Sequence, residues 1–227
     1  MLKLVESDEF AIHSLLNSIK EKCNHTIPIL DLVTLGVDTI IVTPYELVLR
    51  HASDSIFTTK GNDFAFQFLE GVQFMHQRNV AHLDLKPDNI VIRTTIHPQR
   101  LLIIDFSVSV QVAEQESWIE GYRGTEGWVA PEVEESKYRP IRADLWSAGR
   151  MLQYFADRQH SDTNFVFKSL ADELLNHNPL HRPLLSEAHL SYEGNHQTLR
   201  LKRKLSVDAP EREQVKRPCV PSPGVSQ

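Results

Sequence analysis

The part of this chain that most limits what it can fold into is residues 82–89, which read HLDLKPDN. The stretch places a carboxylate, an ammonium group and a carboxamide within six residues, in a fixed order. Asp84 can accept a proton from an alcohol, Lys86 can neutralise a phosphoryl oxygen, and Asn89 can present a carbonyl oxygen to a hard cation such as Mg²⁺. By itself the stretch also fits a polar turn with a proline, so other parts of the chain must decide between the two interpretations.

Length and composition indicate an ordinary globular protein. With 227 residues, of which 41% are hydrophobic and 24% charged, the chain can bury one large core or two small ones. No apolar run is long enough to span a bilayer, and acids occupy the place where a signal peptide has its apolar segment. Cys23 and Cys219 form no metal-type pair. We therefore expect an intracellular protein with reduced thiols and no membrane association.

Charge is distributed unevenly along the chain. Residues 197–227 carry seven Lys or Arg and three Asp or Glu, a net +4, so the remainder of a chain with total charge −6 carries −10. An acidic body argues against a nucleic-acid-binding domain. The tail lacks periodicity and is predicted to be disordered. In it, RLKRK at 200–204 and VKRP at 215–218 resemble a bipartite nuclear-import signal, although a solvated basic tail explains them equally well. The expected location is the cytoplasm, the nucleus or both.

The first 46 residues read as strand, helix, strand and strand. Ser7 is the predicted N-cap of the helix, and Glu9 falls on its apolar face, where a buried carboxylate needs a cation. Lys3, on the short apolar strand LKLV, is the obvious cation. The runs IPILDLV and TIIVTPY follow, with strand character and a turn at residues 36–38 between them.

Helical spacing dominates the next part of the chain. A long amphipathic helix from about Phe57 leads into the loop at 82–89, and the strands NIVI and LLIIDF follow it. Residues 107–122 are polar and weakly periodic, which predicts a mobile surface loop. Two further helices are predicted, one beginning at Asp144 and one ending before HNPLHRP.

Five motifs, in this order, resemble those of the eukaryotic protein kinase family. They are HLDLKPDN, DFS at Asp105, GTEGWVAPE at 124–132, DLWSAG at 144–149 and the HRP that contains Arg182. The likeness covers about residues 1–190 and is strongest over 64–182. It implies an α+β fold of two lobes, with an incomplete small β lobe and a mainly helical large lobe.

The resemblance implies a role for each polar residue of these motifs. Asp84 would orient and deprotonate a substrate hydroxyl, and Lys86 would stabilise the transferring phosphoryl group. Asn89 and Asp105 would hold the Mg²⁺ ions that bridge the phosphates of ATP. Thr125 would connect the substrate platform to the catalytic loop. The sequence Leu-Lys-Pro after Asp84 is typical of the serine/threonine subclass.

Other matched residues have structural roles in the family. Glu132 would form a buried ion pair with Arg182, and a surface pair is the alternative. Asp144 would accept backbone hydrogen bonds from the catalytic loop and fix its shape, and His82 belongs to the same structural set.

The resemblance also implies an ATP site in the small lobe. Lys3 would grip the α and β phosphates, and Glu9 would position it. The alternative is that Glu9 is only a first-turn acid that favours the helix dipole. The gatekeeper and the hinge, whose backbone would face the adenine, correspond to Thr43, Pro44, Tyr45 and Glu46.

Four departures from the family pattern concern activity. The first glycine is Gly36, so the glycine-rich loop over the phosphates is absent, and if Met1 is the true start we expect the first two small-lobe strands to be missing. Leu83 replaces an arginine, which removes the cation through which phosphorylation organises the activation loop. Ser107 replaces the glycine of DFG, which restricts the backbone there. The region between the last two motifs is short.

From the sequence we therefore predict three segments: a truncated small lobe with its hinge at 1–46, a large lobe at 47–192 and a disordered basic tail at 193–227. Two functions remain open. One is a serine/threonine protein kinase that uses ATP and Mg²⁺ to phosphorylate a protein substrate. The other is a kinase-like binding or scaffold protein with little or no activity.

Overall fold

The structure, a computed structural model, describes residues 1–135, 137–159 and 166–186, together with the backbone of residues 188–193 and 196–201. The α-helices in this part of the chain are α1 (Ser7–Ser18), α2 (Asp54–His76), α3 (Pro140–Arg158) and α4 (Lys168–Leu174). Its strands are β1 (Leu2–Val5), β2 (Asp31–Leu35), β3 (Asp38–Val42), β4 (Leu47–Val48), β5 (Val80–Ala81), β6 (Ile90–Arg93), β7 (Arg100–Ile103), β8 (Val110–Gln111), β9 (Ile119–Glu120), β10 (Lys137–Tyr138), β11 (Ala188–Glu193) and β12 (His196–Leu201).

A three-stranded antiparallel sheet in the order β1-β3-β2 forms the small lobe, with β1 at one edge. Lys3 lies opposite Ile41 in the register of β1 and β3. Because successive residues of a strand face opposite sides, Lys3 shares the inner face with the buried Ile41, whereas Leu2 and Leu4 are exposed on the outer face. The register therefore turns the Lys3 side chain towards the rest of the molecule.

Helix α1 carries a buried stripe that faces the interior. Its buried members are Glu9, Ile12, His13 and Leu16, at the spacing that places residues on one side of a helix. The helix begins at Ser7, so Glu6 and not Ser7 occupies the N-cap position. The predicted cap is one residue too late, because a single residue separates β1 from the helix and leaves only Glu6 in an extended conformation.

Helices α2 and α3 pack against each other at the centre of the large lobe. The ring centroids of Phe57 and Phe68, both on α2, lie 6.1 Å from that of Phe155 on α3, and all three side chains are fully buried. Burial of one such ring contributes about 1.5–3 kcal/mol, so this contact fixes how the helices are placed.

None of the described helices has the length and apolar character needed to cross a bilayer.

Strands β6 and β7 pair antiparallel directly after the loop at 82–89 and correspond to the strands predicted from NIVI and LLIIDF. β4 pairs with β6 on the other side, which completes a second small sheet. The described chain thus has a β lobe with one helix and a larger, mainly helical lobe. This arrangement confirms the predicted α+β class.

Residues 107–122 are mainly loop, as their polarity predicts, but two short strand pairs that were not predicted attach them to the rest of the chain. β8 pairs with β5 and β9 pairs with β10, while Val108, Val110 and Val112 pack against an apolar cluster. The three valines alternate with polar residues, which is the period of a half-buried strand. The strand β8 was not predicted because this alternation is short and lies within an otherwise polar stretch.

The predicted disordered tail begins at residue 193, but the structure places paired strands there. β11 and β12 form an antiparallel hairpin over residues 188–201. Apolar residues recur at every second position of LRL at the end of β12, a strand period that the surrounding basic residues obscure in the sequence. Residues 202–227, which contain most of the basic tail and Cys219, lie outside the described residues.

A buried ion pair attaches the end of residues 105–132 to the large lobe. Arg182 is only 1% exposed; its Nη1 lies 2.5 Å from Glu132 Oε1 and its Nη2 lies 2.8 Å from Oε2. The same guanidinium donates to the backbone oxygens of Asn176 and Arg142, at 2.9 and 2.7 Å. The pair is therefore a bidentate interior contact and not the surface pair that the sequence left open.

Replacing Arg182 by leucine is expected to lower the free energy of unfolding by about 3–5 kcal/mol, because the Glu132 carboxylate would remain buried without its cation. Urea unfolding followed by circular dichroism measures the change. The double variant Glu132→Leu/Arg182→Leu should recover part of the loss, since no charge is then left unpaired. A single variant as stable as the wild type would show that the pair does not hold this end of the segment.

Candidate active site

The loop at 82–89 is held in its shape by one buried carboxylate from α3. Asp144 is fully buried, and its two oxygens accept hydrogen bonds from the backbone N–H groups of His82 and Leu83, both at 2.7 Å. His76 Nε2 lies 3.0 Å from the same carboxylate. Leu83 has a φ of +64°, a conformation that a branched side chain rarely adopts. The bonds to Asp144 stabilise this strained turn, which directly precedes Asp84.

Asp84 is the centre of a compact set of polar side chains. Its Oδ2 accepts hydrogen bonds from Lys86 Nζ and Asn89 Nδ2, both at 2.7 Å, and its Oδ1 accepts one from Thr125 Oγ1 at 2.7 Å. Lys86 Nζ also donates to Thr125 Oγ1 at 2.6 Å. The structure therefore brings together Asp84, Lys86 and Thr125, to which the resemblance gives roles at the substrate, and Asn89, to which it gives a role as a metal ligand. Thr125 comes from a segment about 40 residues away in the chain.

The segment that carries Thr125 passes directly against the catalytic loop. Gly124 has a φ of +107°, and a Cβ at this position would lie 2.4 Å from the backbone oxygen of Leu83. Only glycine combines that backbone conformation with so close an approach. The glycine before Thr125 thus allows this segment and the loop at 82–89 to touch.

Lys3 connects the small lobe to Asp105. Its Nζ lies 2.5 Å from Glu9 Oε1 and 2.6 Å from Asp105 Oδ1. Burial lowers the pKa of Lys3, but its hydrogen bonds to Asp105 and Glu9 outweigh this effect and leave the pKa above its ordinary value. Burial raises the pKa of the Asp105 carboxyl, yet the bonds from Lys3 and Ser107 more than compensate and leave that pKa below its ordinary value. Both groups are therefore ionised at neutral pH.

Asn89 and Asp105 have the ligand chemistry that Mg²⁺ prefers. The backbone N–H of Ile104 donates to the Asn89 carbonyl at 2.9 Å, so the residue before Asp105 lies beside Asn89. Asn89 uses its Nδ2 group for two hydrogen bonds to Asp84, which leaves its side-chain oxygen as an acceptor. Two hard oxygen ligands, completed by phosphate oxygens and water, suit a magnesium ion, so the residues present fit this metal.

The four predicted gatekeeper and hinge residues have different environments. Thr43 is buried, and its backbone N–H and C=O bond to the backbone oxygen and the amino group of Met1. Tyr45 is 88% exposed, whereas the Glu46 carboxylate is held by Arg93 Nε at 2.7 Å. Of this set, only Thr43 lies beside Lys3 in the same cavity. The contact of the backbone of Pro44, Tyr45 and Glu46 with adenine stays a prediction.

A cavity of about 280 Å³ lies behind Lys3 and Asp105, and His13 forms part of its wall. His13 is 1% exposed, its Nε2 lies 2.7 Å from the Ile27 backbone oxygen, and its ring centroid lies 4.9 Å from that of Phe106. Burial lowers the pKa of His13, and the charge of Lys3 lowers it further. The hydrogen bond to the Ile27 backbone raises this pKa but does not outweigh the effect of burial. A neutral His13 therefore donates from Nε2 to Ile27.

The same ring contact continues to the catalytic loop. Phe106 packs edge-on against His82, with 5.3 Å between the ring centroids, and His82 Nε2 lies 3.0 Å from the Ile104 backbone oxygen. A row of three rings thus joins α1 to the loop that contains Asp84. No motif marks His13 in the sequence, although its position one helical turn after Glu9 places both residues on one face.

The Protein kinase domain family matches residues 14–161. Calcium-dependent protein kinase 6 of Plasmodium berghei (strain Anka) is 31% identical over 135 residues, which are 59% of this chain and 9% of that protein. Serine/threonine-protein kinase ULK3 of Xenopus laevis is 30% identical over 120 residues, 53% of this chain and 25% of that protein. Calcium/calmodulin-dependent protein kinase type 1 of Macrobrachium nipponense is 36% identical over 110 residues, 48% of this chain and 31% of that protein.

The chain thus spans less than a third of the length of these three relatives. The family match itself covers more than half of the chain and includes the catalytic loop, Asp105 and Asp144. These residues lie together in the two-lobe α+β fold described above. The chain therefore belongs to the protein kinase domain family.

Proposed function

We propose that this chain is a protein serine/threonine kinase that transfers the γ-phosphoryl group of Mg-ATP to a hydroxyl group of a protein substrate. The observation that carries the proposal is the set of four side chains around Asp84, together with the Lys3–Asp105 contact. A carboxylate, two cations and two metal-type oxygen ligands are the parts that phosphoryl transfer requires. Membership of the family supports the activity in general terms.

On the substrate side, Asp84 orients the attacking hydroxyl and accepts its proton. The carboxylate is only 12% exposed, and three donors fix its direction, so little reorganisation is needed when the substrate arrives. Lys86 can transfer its hydrogen bond from Asp84 or Thr125 to an oxygen of the migrating phosphoryl group. Its positive charge then stabilises the charge that develops during transfer.

On the nucleotide side, Asn89 and Asp105 would hold magnesium. When bound, the metal neutralises the phosphate oxygens and draws charge towards the leaving group. Lys3 supplies a fixed cation for the α and β phosphates, and Glu9, which is 5% exposed, keeps its ammonium group in place. Because Lys3 already contacts Asp105, the phosphate cation and the metal ligand are next to each other before nucleotide binds.

Two observations support serine and threonine as the acceptors. Leu85, Lys86 and Pro87 follow Asp84 in the order typical of that subclass. Thr125 joins Lys86 and Asp84 by hydrogen bonds of 2.6 and 2.7 Å, as the resemblance to serine/threonine kinases implied. One of the similar proteins also carries the name serine/threonine-protein kinase.

A second candidate function is binding without turnover, in which the chain acts as a kinase-like scaffold. β1 is an edge strand of the described sheet, and the first glycine of the chain is Gly36. A strand edge presents unpaired backbone groups that can bind another chain. The two candidates differ in a single measurable property, which is phosphoryl transfer that depends on Asp84.

Replacing Asp84 by asparagine is expected to reduce phosphate transfer from labelled Mg-ATP to a generic basic protein by about 10²–10⁴-fold, because the proton acceptor is removed while the side-chain shape remains. Asp157→Asn, a matched change of an exposed carboxylate on α3, should leave transfer unchanged. Equal transfer by the wild type and by Asp84→Asn would refute the enzyme and leave the scaffold.

Lys3→Met tests nucleotide binding separately from turnover. Mg-ATP at about 100 times its dissociation constant should stabilise the wild type by about 2.7 kcal/mol, which appears as a rise in melting temperature. The rise should largely disappear in Lys3→Met, because the phosphates lose their cation. The exposed Lys22→Met is the control and should keep the full rise. An equal rise in the wild type and in Lys3→Met would exclude Lys3 from the nucleotide site.

A further inference from the structure

The middle of residues 105–132 is attached to the start of α3 by a single acidic side chain. Glu116 Oε1 accepts hydrogen bonds from Arg142 Nη2 at 2.5 Å and from Arg142 Nε at 2.9 Å. The other oxygen, Oε2, lies 3.2 Å from Arg139 Nε. Both arginines belong to the first turn of α3 or to the residue just before it. One carboxylate therefore binds two cations on the large lobe.

The same arginine connects Glu116 to the far end of the segment. Arg142 Nη1 donates to the backbone oxygen of Arg182 at 2.7 Å, and Arg182 Nη1 donates back to the backbone oxygen of Arg142 at 2.7 Å. Arg182 in turn holds Glu132, the last residue of the GTEGWVAPE motif. The middle and the end of the segment are thus fixed to two arginines that bond to each other's backbone.

Two further contacts follow Glu116 along the chain. The Trp118 ring lies under the Arg139 guanidinium, with 4.2 Å between its centroid and Arg139 Cζ, a cation–π contact. β9 then pairs with β10, and Tyr138 of β10 is buried. Ion pairs, a cation–π contact and a short strand pair therefore hold residues 116–120 against 137–142.

The catalytic loop supplies no cation to this arrangement. Leu83, which precedes Asp84, is 3% exposed and packs in an apolar cluster with Ala130 and Val133. The cations that meet Glu116 are Arg139 and Arg142, and the anion that they meet is its permanent carboxylate. Permanent charge at this place requires no modification of the segment.

We propose that Glu116 is a positioning residue for the protein substrate, because it orders the segment that carries Thr125 without any added phosphate. The proposal rests on the proposed kinase function for its kinetic consequence. Glu116 acts at a distance from the nucleotide: its partners are Arg139 and Arg142, whereas the nucleotide residues are Lys3 and Asp105. Its loss should therefore weaken use of the protein substrate and leave use of Mg-ATP unchanged.

The experiment compares Glu116→Gln with Glu114→Gln in the full chain. Glu114 is an exposed acid of the same segment, so its variant controls for the change in net charge. For Glu116→Gln, kcat/KM for the protein substrate should fall about tenfold, mainly through a higher KM, because the segment that faces the substrate is less ordered. The KM for Mg-ATP should stay constant. The kcat/KM of Glu116→Asp, which keeps the charge, should lie between the values for Glu116→Gln and Glu114→Gln.

Hydrogen exchange of the backbone amides of residues 113–123 gives a readout that does not depend on activity. Exchange should be faster in Glu116→Gln than in the wild type and in Glu114→Gln. Phosphatase treatment of the wild type should change neither the exchange nor the activity. A strong loss of activity after phosphatase treatment would contradict a permanent anion as the ordering group.

The outcomes separate this proposal from the proposed function. If Glu116→Gln changes neither the KM for the protein substrate nor the hydrogen exchange, the positioning role is overturned. An equal rise in the KM for the protein substrate and in the KM for Mg-ATP would also overturn it, because it indicates general damage. If the wild type transfers no phosphate, the kinase function fails, and the exchange comparison still decides whether Glu116 orders the segment.

Discussion

The Asp144 carboxylate is the group on which the shape of the site depends. It is fully buried, and an unpaired carboxylate in that environment would be strongly unfavourable. Two backbone N–H groups and His76 compensate for its burial with short hydrogen bonds. Those bonds hold Leu83 in a left-handed conformation, and this conformation in turn directs Asp84 towards Lys86 and Thr125. Asp144 therefore sets the position of Asp84 without touching it.

The nucleotide side depends on contacts between the two lobes. Lys3 bridges Glu9 of α1 and Asp105, so a strand, a helix and the segment after β7 meet at one ammonium group. The rings of His13, Phe106 and His82 form a second connection between α1 and the catalytic loop. The ion pairs of Lys3 and the row of three rings thus connect the small lobe to the part of the chain that contains Asp84. A shift of α1 would disturb both connections together.

Local spacing explains what could be predicted from the sequence. The polar residues of 82–89 are close in the chain, and Glu9 and Lys3 are separated by only six positions, so their proximity follows from one strand and one helix. The motifs in fixed order then indicated the two-lobe fold. Contacts that depend on the tertiary arrangement were not predictable in this way. Glu46 meets Arg93 and Glu116 meets Arg142 across 47 and 26 positions, and neither pair has a local signature.

Two short strand pairs have a cause that the sequence contains but does not make evident. The valines of 108–112 alternate as a strand does, yet the polar residues around them suggest a loop. The hairpin of β11 and β12 similarly ends among basic residues, where composition favours disorder. In both cases the strand is too short to be stable alone, with two residues in β8 and six in β11 and in β12. Pairing with a second strand supplies the backbone hydrogen bonds that stabilise it.

Calorimetric titration with ATP, in the presence and absence of Mg²⁺, tests whether Lys3 and the metal ligands Asn89 and Asp105 bind the nucleotide together. In the wild type, Mg²⁺ should strengthen ATP binding by at least about tenfold, because Asn89 and Asp105 add metal ligands next to Lys3. In Asp105→Asn the affinity should be weak and nearly the same with and without the metal. Equal affinity of the wild type under both conditions would contradict this account of the site.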